Sequence, residues 1–324
     1  MHVHKPVMLK EVLRFLAPVP SKRYLDATVG AGGHSRAILE KIVPGGMLIA
    51  LDRDSSQLTL ARDSFKEKRF PEKAWRLFHL SYKDMDQAAA AVGLSGEGWD
   101  GILFDLGVSS LHLDDPERGF SFLKQGPLDF RFDRSQSLTG KQIINTWTQA
   151  RLRQIFREYG NERNAAAIAR RICKVRQKNE ITTTLQLAEI VRKAIPPRFR
   201  TTRRNPATLV FQAIRMSVNN ELEILEQGLS KALAFLAVQG VCVVISFHSG
   251  EDRIVKLHFR KAATKNRKDP EFEILTKKPL TPSKEEAREN PRARSAKFRA
   301  IKRLRKPGAP PPEKMGCNEM RYFQ

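Results

Sequence analysis

Residues 26–35 read Asp-Ala-Thr-Val-Gly-Ala-Gly-Gly-His-Ser and stand where an apolar run passes into a helical stretch at 35–42. Glycines at such a turn let the chain change direction tightly and let a ligand approach the backbone. Three more apolar runs, at 47–51, 75–78 and 101–106, alternate with helical stretches. Alternation at this spacing is typical of parallel βαβ units, so we predict a doubly wound α/β sheet.

The alternation stops near residue 111 and resumes after residue 208. Between these points the sequence has a Gly- and Pro-punctuated loop and helical stretches, without a convincing core strand. We therefore predict one α/β domain at 1–110 and 209–305, interrupted by an all-helical insert at 111–208. A Pro-rich tail at 306–324 is predicted to be extended or disordered.

Two patterns lie in the second part of the predicted α/β domain. A long helical stretch at 209–237 precedes an apolar run at 241–247, and Asn219 on that stretch is expected to be solvated. Farther along, Lys297 and Arg299 alternate with apolar residues. Such alternation is typical of an exposed edge strand.

Composition limits the possible classes of protein. The chain has 324 residues, of which 41% are hydrophobic and 29% charged, and this composition supports a large core and excludes wholesale disorder. Its three cysteines lie far apart without a CxxC pair, which argues against a disulfide framework and a structural zinc site and fits a reducing compartment. Neither a signal peptide nor a run of about 18–20 apolar residues is present, so we predict a cytoplasmic protein.

Positive charge is concentrated in two blocks. The net charge is +23, and residues 151–215 contribute +12 while residues 253–306 contribute +13. Segregated basic blocks favour a polyanionic partner, most often nucleic acid. An anionic membrane surface would instead require a basic amphipathic helix with exposed aromatic residues, which is not evident. Nine cations of the insert are predicted to hold RNA phosphates, although a solvated face is the alternative: Arg163, Arg170, Arg171, Lys174, Arg176, Arg198, Arg200, Arg203 and Arg204.

An acidic residue strengthens the functional interpretation of the glycine turn. Asp52 ends the second apolar run, 20 residues after Gly32, where a carboxylate can bind both hydroxyls of a ribose. Ser35 replaces the third glycine of the dinucleotide fingerprint, which argues against a nicotinamide or flavin. S-adenosylmethionine has no pyrophosphate, and its amine and carboxylate suit an acid such as Asp26 and the amides at the helix start. Asp105 ends the fourth run, beside the predicted topological switch point.

In these and other stretches the chain resembles the bacterial small-subunit ribosomal RNA (cytosine-N4)-methyltransferases of the MraW type. The matching stretches run in order along the chain and are together highly specific. They are 4–8 (HKPVM), 32–35 (GGHS), 50–54 (ALDRD), 104–110 (FDLGVSS), 113–115 (LDD), 117–122 (ERGFSF), 126–129 (GPLD), 159–160 (YG), 162–163 (ER), 205–208 (NPAT), 211–215 (FQAIR), 218–219 (VN), 221–222 (EL), 246–249 (SFHS), 251–253 (EDR) and 290–295 (NPRARS).

The resemblance implies an S-adenosylmethionine-dependent enzyme that methylates a cytosine N4 in the decoding region of small-subunit ribosomal RNA. It implies a methyltransferase-type, Rossmann-like sheet with a helical insert, and small-subunit RNA or the small ribosomal subunit as partner. The oligomeric state stays open, a homodimer included. Position by position it implies cofactor contacts from Gly32, Gly33, His34, Asp52, Tyr82, Asp105 and His112. The family commonly has Phe where Tyr82 stands and Gln where His112 stands.

The group that orients the cytosine amine is not given by a single motif. Methyl transfer from a sulfonium is a direct displacement that needs alignment and no metal. The N4 lone pair is delocalised into the ring, so hydrogen-bond acceptors near its protons should help. Candidates are Asp105, Asp129 and His248. Asp105 could instead hold the cofactor, Asp129 could form a turn, and His248 could anchor a loop beside a Ser249–Asp252 cap pair.

Two other functional classes fit part of the sequence. A non-catalytic RNA-binding assembly factor on a nucleotide-binding fold would explain the basic blocks. It gives no reason for Asp52, Asp105 and the glycine turn to occur together. A nicotinamide oxidoreductase is disfavoured by Ser35 and by the lack of an obvious hydride-relay site.

Overall fold

The structure is a computed structural model that describes residues 6–94, 98–197, 205–264 and 270–305. The predicted Pro-rich tail at 306–324 lies outside the described residues. Within the described ranges, no helix combines the length and the apolar character needed to cross a membrane.

Seven strands form one mixed sheet. They are β1 (Arg23–Asp26), β2 (Met47–Asp52), β3 (Trp75–His79), β4 (Trp99–Asp105), β5 (Leu236–Ser246), β6 (Phe272–Ile274) and β7 (Lys297–Arg303). Their order across the sheet is β3-β2-β1-β4-β5-β7-β6. The pairs among β1 to β5 are parallel, and β7 runs antiparallel to both β5 and β6.

Helices cover the sheet and connect its strands. They are α1 (Leu9–Leu16), α2 (Gly33–Ile42), α3 (Ser55–Glu67), α4 (Met85–Ala91), α5 (Ser110–Asp114), α6 (Gly140–Thr146), α7 (Gln149–Glu158), α8 (Ala165–Arg176), α9 (Thr184–Ala194), α10 (Ala207–Asn219), α11 (Glu221–Phe235), α12 (Ser249–Thr264) and α13 (Lys284–Glu289).

Both faces of the sheet are buried. Along β2, Leu48 and Ala50 belong to a core shared with α1, α2 and α3, whereas Ile49 and Leu51 belong to a core shared with α4, α11 and α12. Successive side chains of a strand point to opposite faces, so one apolar run supplies both cores. The predicted doubly wound sheet is therefore confirmed.

The helices between β4 and α11 pack around a third apolar core. Phe130, Phe156 and Ile168 are fully buried there, and so is Ile214 of α10. The core of the predicted insert thus includes α10, which begins at Ala207 and continues past the boundary predicted at residue 208. We propose that the insert ends near Asn220, where the chain leaves α10.

The predicted helical stretch at 209–237 is broken. Asn220 has φ 50°, a left-handed conformation that ends α10 before α11 begins at the next residue. Asparagine adopts this conformation more readily than most residues, so the Asn-Asn pair at 219–220 was the available signal. Asn219 is 1% exposed rather than solvated.

The edge-strand prediction for Lys297 and Arg299 was wrong. Their strand, β7, lies between β5 and β6. Arg299 Nε donates to Asp252 Oδ1 across 2.7 Å, and Lys297 Nζ lies 3.2 Å from Asp252 Oδ2. Both cations therefore pair with Asp252 of α12. A buried charge needs a partner of this kind.

Candidate active site

Three neighbouring parallel strands end at an aspartate. β1 ends at Asp26, β2 at Asp52 and β4 at Asp105, with β1 between the other two. The chain passes from β1 to β2 and β3 on one side and then crosses from β3 to β4 on the other side of β1, which makes this edge the topological switch point where ligands of doubly wound sheets bind. Burial raises the pKa of all three carboxyls. Clustered carboxyls of this kind favour a cationic ligand.

Asp52 is fixed in place by two backbone amides. The amide of Gly30 donates to Oδ2 across 2.9 Å, and the amide of Asp54 donates to Oδ1 across 2.9 Å. Each carboxylate oxygen has a second lone pair, so both can still accept from a ligand hydroxyl. The glycine turn and its acidic partner, predicted from their spacing, are in direct contact.

The glycines of the turn are required by packing. Gly30 and Gly32 have φ values of +52° and +84°, which favour glycine. A Cβ on Gly32 would lie 2.9 Å from a ring carbon of Phe65, and one on Gly33 would lie 2.8 Å from Pro6. Protein atoms thus fill the space that a side chain would need at Gly32 and Gly33. Their cofactor contacts stay a prediction.

Asp26 anchors the turn. It is 1% exposed, accepts from Ser35 Oγ across 2.7 Å, and accepts from the amide of Thr28 across 3.1 Å. Burial raises the pKa of Asp26 to about 6 despite these hydrogen bonds. The place of Asp26 in the sequence suggested that it binds a ligand amine. In the structure its carboxylate is instead hydrogen-bonded within the protein.

Asp105 keeps an unsatisfied oxygen. Its Oδ1 is buried and has no hydrogen-bond partner among the described residues. Oδ2 lies 3.4 Å from His34 Nδ1, while His34 Nε2 lies 2.9 Å from the carbonyl oxygen of Val7. Burial, followed by the charges of Asp26 and Glu251, raises the pKa of Asp105 well above its usual value. A ligand ammonium would supply the missing donor and relieve this repulsion.

Tyr82 lies at the same edge, in a 3-10 turn after β3. Its ring meets the Phe104 ring edge-on, with centroids 5.3 Å apart. Gly228 of α11 leaves room for it, since a Cβ there would lie 2.5 Å from the Tyr82 ring. Burial, then the charges of Glu221 and Glu251, raises the pKa of Tyr82. The predicted contact of Tyr82 with adenine stays a prediction.

His112 is engaged within the protein at both ring nitrogens. Nδ1 accepts from the amide of Ser109, completing a capping box, and Nε2 donates to Asp54 Oδ2 across 2.7 Å. Its one N–H is therefore used within the protein, and the cofactor contact that the resemblance implies for His112 stays a prediction. The family resemblance did not reveal this because Asp54 lies 58 residues away along the chain.

The same carboxylate also binds an arginine of the insert. Arg118 Nη1 donates to Asp54 Oδ2 across 2.6 Å, and Arg118 Nη2 donates to the carbonyls of Arg131 and Phe132 across 2.9 Å each. These partners lower the pKa of Asp54 even though burial opposes the shift. Asp54 and Arg118 are absent from the predicted site residues, although both lie in stretches that match the family. Together they join the loop that follows Asp52 to the insert.

Asp129 forms a turn. Its Oδ1 accepts from the amide and Nε of Arg131 across 3.1 and 2.8 Å, and its Oδ2 accepts from Arg131 Nη2 across 3.0 Å. Burial would raise the pKa of Asp129, but Arg131 outweighs it and the pKa is lowered. This is the turn-forming alternative, and a carboxylate paired in this way is poorly suited to take up a proton.

His248 and Glu251 form the reciprocal cap at the start of α12. His248 Nδ1 accepts from the amide of Glu251, and Glu251 Oε2 accepts from the amides of Phe247 and His248. His248 Nε2 lies 3.1 Å from Glu251 Oε1, in a geometry that makes an ion contact but no hydrogen bond. The predicted Ser249–Asp252 cap pair was wrong, because Asp252 binds Arg299 instead. The structure thus gives His248 the loop-anchoring role.

Asn219 binds the insert loop to α10. Its amide group donates to the carbonyls of Phe130 and Arg215, and its Oδ1 accepts from the amide of Phe132. Arg53, which follows Asp52, donates to the carbonyl of Asn219 across 2.8 Å. Asn219 is therefore part of the contact between residues 130–132 of the insert and the loop that follows Asp52.

The predicted RNA-binding cations divide into three groups. Arg163, Arg170, Arg171 and Lys174 are exposed and have no ion pair within the described ranges. Arg176 instead donates to the carbonyls of Ile144 and Trp147, across 2.6 Å each, and so ties α8 to the end of α6. The other four predicted cations lie outside the described residues: Arg198, Arg200, Arg203 and Arg204.

A sheet in this order, with an antiparallel β7 and a glycine turn facing an acid after β2, defines a Rossmann-like methyltransferase. The MraW methylase family model matches residues 1–304. A ribosomal RNA small subunit methyltransferase H from Trichlorobacter lovleyi is 46% identical over 312 residues, covering 93% of this chain and 98% of the relative. Its counterpart from Persephonella marina is 45% identical over 302 residues, covering 93% and 99%.

In a comparison of folds, an rRNA methylase from Streptococcus thermophilus aligns with a TM-score of 0.44 at 8% identity, covering 94% of this chain and 99% of that one. The match of the family model over nearly the whole sequence, with relatives of this identity, settles the family. The chain belongs to the MraW methylase family. It is an S-adenosylmethionine-dependent methyltransferase.

The residues at the sheet edge fit this cofactor. Asp105 offers a buried oxygen without a donor, which matches an α-amino group. Asp52 offers two oxygens oriented by amides, which match a ribose diol. The three clustered carboxyls match the net positive charge that the sulfonium contributes.

Proposed function

We propose that the chain transfers a methyl group from S-adenosylmethionine to the N4 of a cytosine in the decoding region of small-subunit ribosomal RNA. The pairing of the Gly30–Asp52 contact with the unsatisfied oxygen of Asp105 carries the proposal, because it supplies separate positions for a ribose and an amine. The names of the relatives support small-subunit RNA as the substrate. The choice of cytosine N4 rests on the sequence resemblance.

Bound S-adenosylmethionine supplies a methyl group activated by a sulfonium. In our proposal Asp52 accepts from the ribose hydroxyls and Asp105 accepts from the α-amino group. Gly32, Gly33, His34 and Tyr82 line the same edge. Of the three candidates for the group that orients N4, Asp129 is paired with Arg131 and His248 caps α12. Asp105 alone keeps an unsatisfied oxygen, and we assign it to the cofactor amine.

The RNA is held by the insert. Arg163, Arg170, Arg171 and Lys174 would contact phosphates, which position the substrate without reading its sequence. The target cytosine must be unpaired or flipped out to reach the methyl group. Free small-subunit RNA and the assembled small subunit in the cytoplasm are the candidate substrates.

The experiment uses the purified chain and S-adenosylmethionine with a deuterated methyl group. A decoding-region RNA fragment and small ribosomal subunits lacking the modification serve as two substrates. Nucleoside mass spectrometry should find the label in N4-methylcytidine from at least one of them. Label on cytosine C5 or on another nucleoside would contradict the assignment to N4, and no transfer to either substrate would contradict the proposed function.

A further inference from the structure

The second basic block, residues 253–306, has no role in the function proposed above. Two kinds of cation among its described residues bear on a role in binding. Some are used inside the protein: Arg299 and Lys297 bind Asp252, and Arg303 donates to the carbonyls of Ala234 and Leu236. These side chains stabilise the packing of β7 against its neighbours. They are not available to a partner.

Helix α12 carries the other kind. Arg253, Lys256, Arg260 and Lys261 are exposed and have no ion pair in the part of the chain that the structure describes. Their spacing places them along one side of a helix. Over the eight residue-to-residue steps from Arg253 to Lys261, a rise of about 1.5 Å per residue gives a cationic face about 12 Å long.

The acidic residues of α12 do not neutralise this face. Glu251 and Asp252 are both buried, Glu251 against His248 and Asp252 against Arg299. Helix α9 shows the usual arrangement, because its exposed Arg192 pairs with Glu189. A face with cations alone, on a helix whose acids point inward, is unlike an ordinary solvated face of mixed charge.

The face begins beside the active site. Helix α12 starts at Ser249, directly after β5, and β5 pairs with β4, which ends at Asp105. Arg253 is about one helical turn from that edge. RNA whose target base reaches Asp105 must therefore bring its backbone near the start of α12.

We propose that the Arg253–Lys261 face of α12 is a second RNA-binding surface, which holds backbone phosphates on the sheet domain while the insert holds others. This inference rests on the proposed function. An anionic membrane is a poorer partner, because the apolar residues Val255 and Phe259 are buried in the core and only Leu257 stands exposed on α12 among the cations.

The test compares two triple variants with equal loss of charge. R253Q/K256Q/R260Q neutralises the α12 face. K66Q/K68Q/K73Q neutralises three exposed lysines near the start of β3, at the opposite edge of the sheet. Affinity for the decoding-region fragment is measured from low to high salt. Cofactor affinity and melting temperature, which should be unchanged in both variants, check the fold.

Each phosphate contact adds about 0.7 to the slope of log affinity against log salt on single-stranded RNA. The α12 variant should therefore lower the slope by about 2, and the control should leave it unaltered. Equal slopes for the two variants would overturn the inference. If the α12 variant loses binding to phosphatidylserine vesicles but keeps the RNA binding of the wild-type protein, the inference is also overturned, in favour of a membrane partner.

Methyl transfer and the salt slope, measured together, separate this inference from the proposed function. If the wild-type protein methylates the RNA and the α12 variant binds it like the control, the inference alone fails. If the wild-type protein transfers no methyl group while the α12 variant lowers the slope, the proposed function fails and the surface stands.

Discussion

The backbone amide of Gly30 donates a hydrogen bond to Asp52 Oδ2 across 2.9 Å, so the turn after β1 and the acid that ends β2 form one unit. The amide of Asp54 holds the other oxygen. Both oxygens are fixed before a ligand arrives, which reduces the entropy lost on binding.

Asp52→Ala should weaken S-adenosylmethionine binding at least about tenfold. Hydrogen bonds to a charged acceptor contribute about 1.5–3 kcal/mol, and about 1.4 kcal/mol corresponds to tenfold in affinity. Isothermal titration calorimetry measures the change, with Asp63→Ala as the control because Asp63 is exposed on α3. Equal affinities for the two variants would remove Asp52 from the cofactor site.

Cofactor affinity should rise as the pH is raised toward the elevated pKa of Asp105. Burial and neighbouring charges raise the pKa of Asp105 above its usual value, so at a pH below that pKa the cofactor amine must displace a proton from the free protein. Below that pKa the affinity should increase by up to about tenfold per pH unit, and above it the curve should flatten. The α-amino group of the cofactor stays protonated below about pH 7.

Asp105→Asn serves as the matched variant for this pH series, because it keeps the shape and removes the titrating group. Its affinity should be lower than that of the wild-type protein at pH 7, with a weaker dependence on pH. Saturating cofactor should restore most of its rate if Asp105 holds the amine. The same dependence of affinity on pH in the wild-type protein and in Asp105→Asn would contradict the proposed role.

Asp54→Ala should destabilise the protein by about 3–5 kcal/mol, since it leaves the buried guanidinium of Arg118 without its carboxylate. His112→Gln should cost less than about 1 kcal/mol. A Gln in this position can accept from the Ser109 amide, as Gln142 does in its own capping box, and can still donate to Asp54. Urea unfolding compares the stability of the two variants. Similar losses of stability would contradict the inference that Asp54 is the partner on which buried Arg118 depends.

Neutralising Arg170 and Arg171 together should lower the salt slope of RNA binding by about 1.4 if both contact phosphate on a single strand. Arg176→Gln should leave the slope unaltered and reduce stability by about 1.5–3 kcal/mol, because Arg176 donates to two carbonyls within the insert. A lower slope for Arg176→Gln would show that it contacts RNA after all.

Features set by local sequence were predicted correctly. The βαβ rhythm gave the doubly wound sheet, and the spacing from Gly32 to Asp52 indicated a contact that the structure shows at Gly30.

Features set by distant partners were not predictable in this way. Whether Arg176 faces solvent depends on carbonyls 29 and 32 residues away. Arg299 appeared to be a surface residue until Asp252 was placed beside it. The family resemblance pointed to His112 as a site residue, but only the fold shows that Asp54 takes its hydrogen bond. Periodicity reports which face of an element is apolar, and it does not report which charge meets which.

The most direct test of the central claim is the N4-methylcytidine content of small-subunit ribosomal RNA, measured by nucleoside mass spectrometry. Cells from which this gene has been deleted are compared with the same cells expressing the wild-type chain or Asp52→Ala. We predict that the deletion removes the methyl group from a decoding-region cytosine, that the wild-type chain restores it, and that Asp52→Ala restores little of it. Unchanged N4-methylcytidine in the deleted cells, or loss of a methyl group from a different atom, would contradict the account.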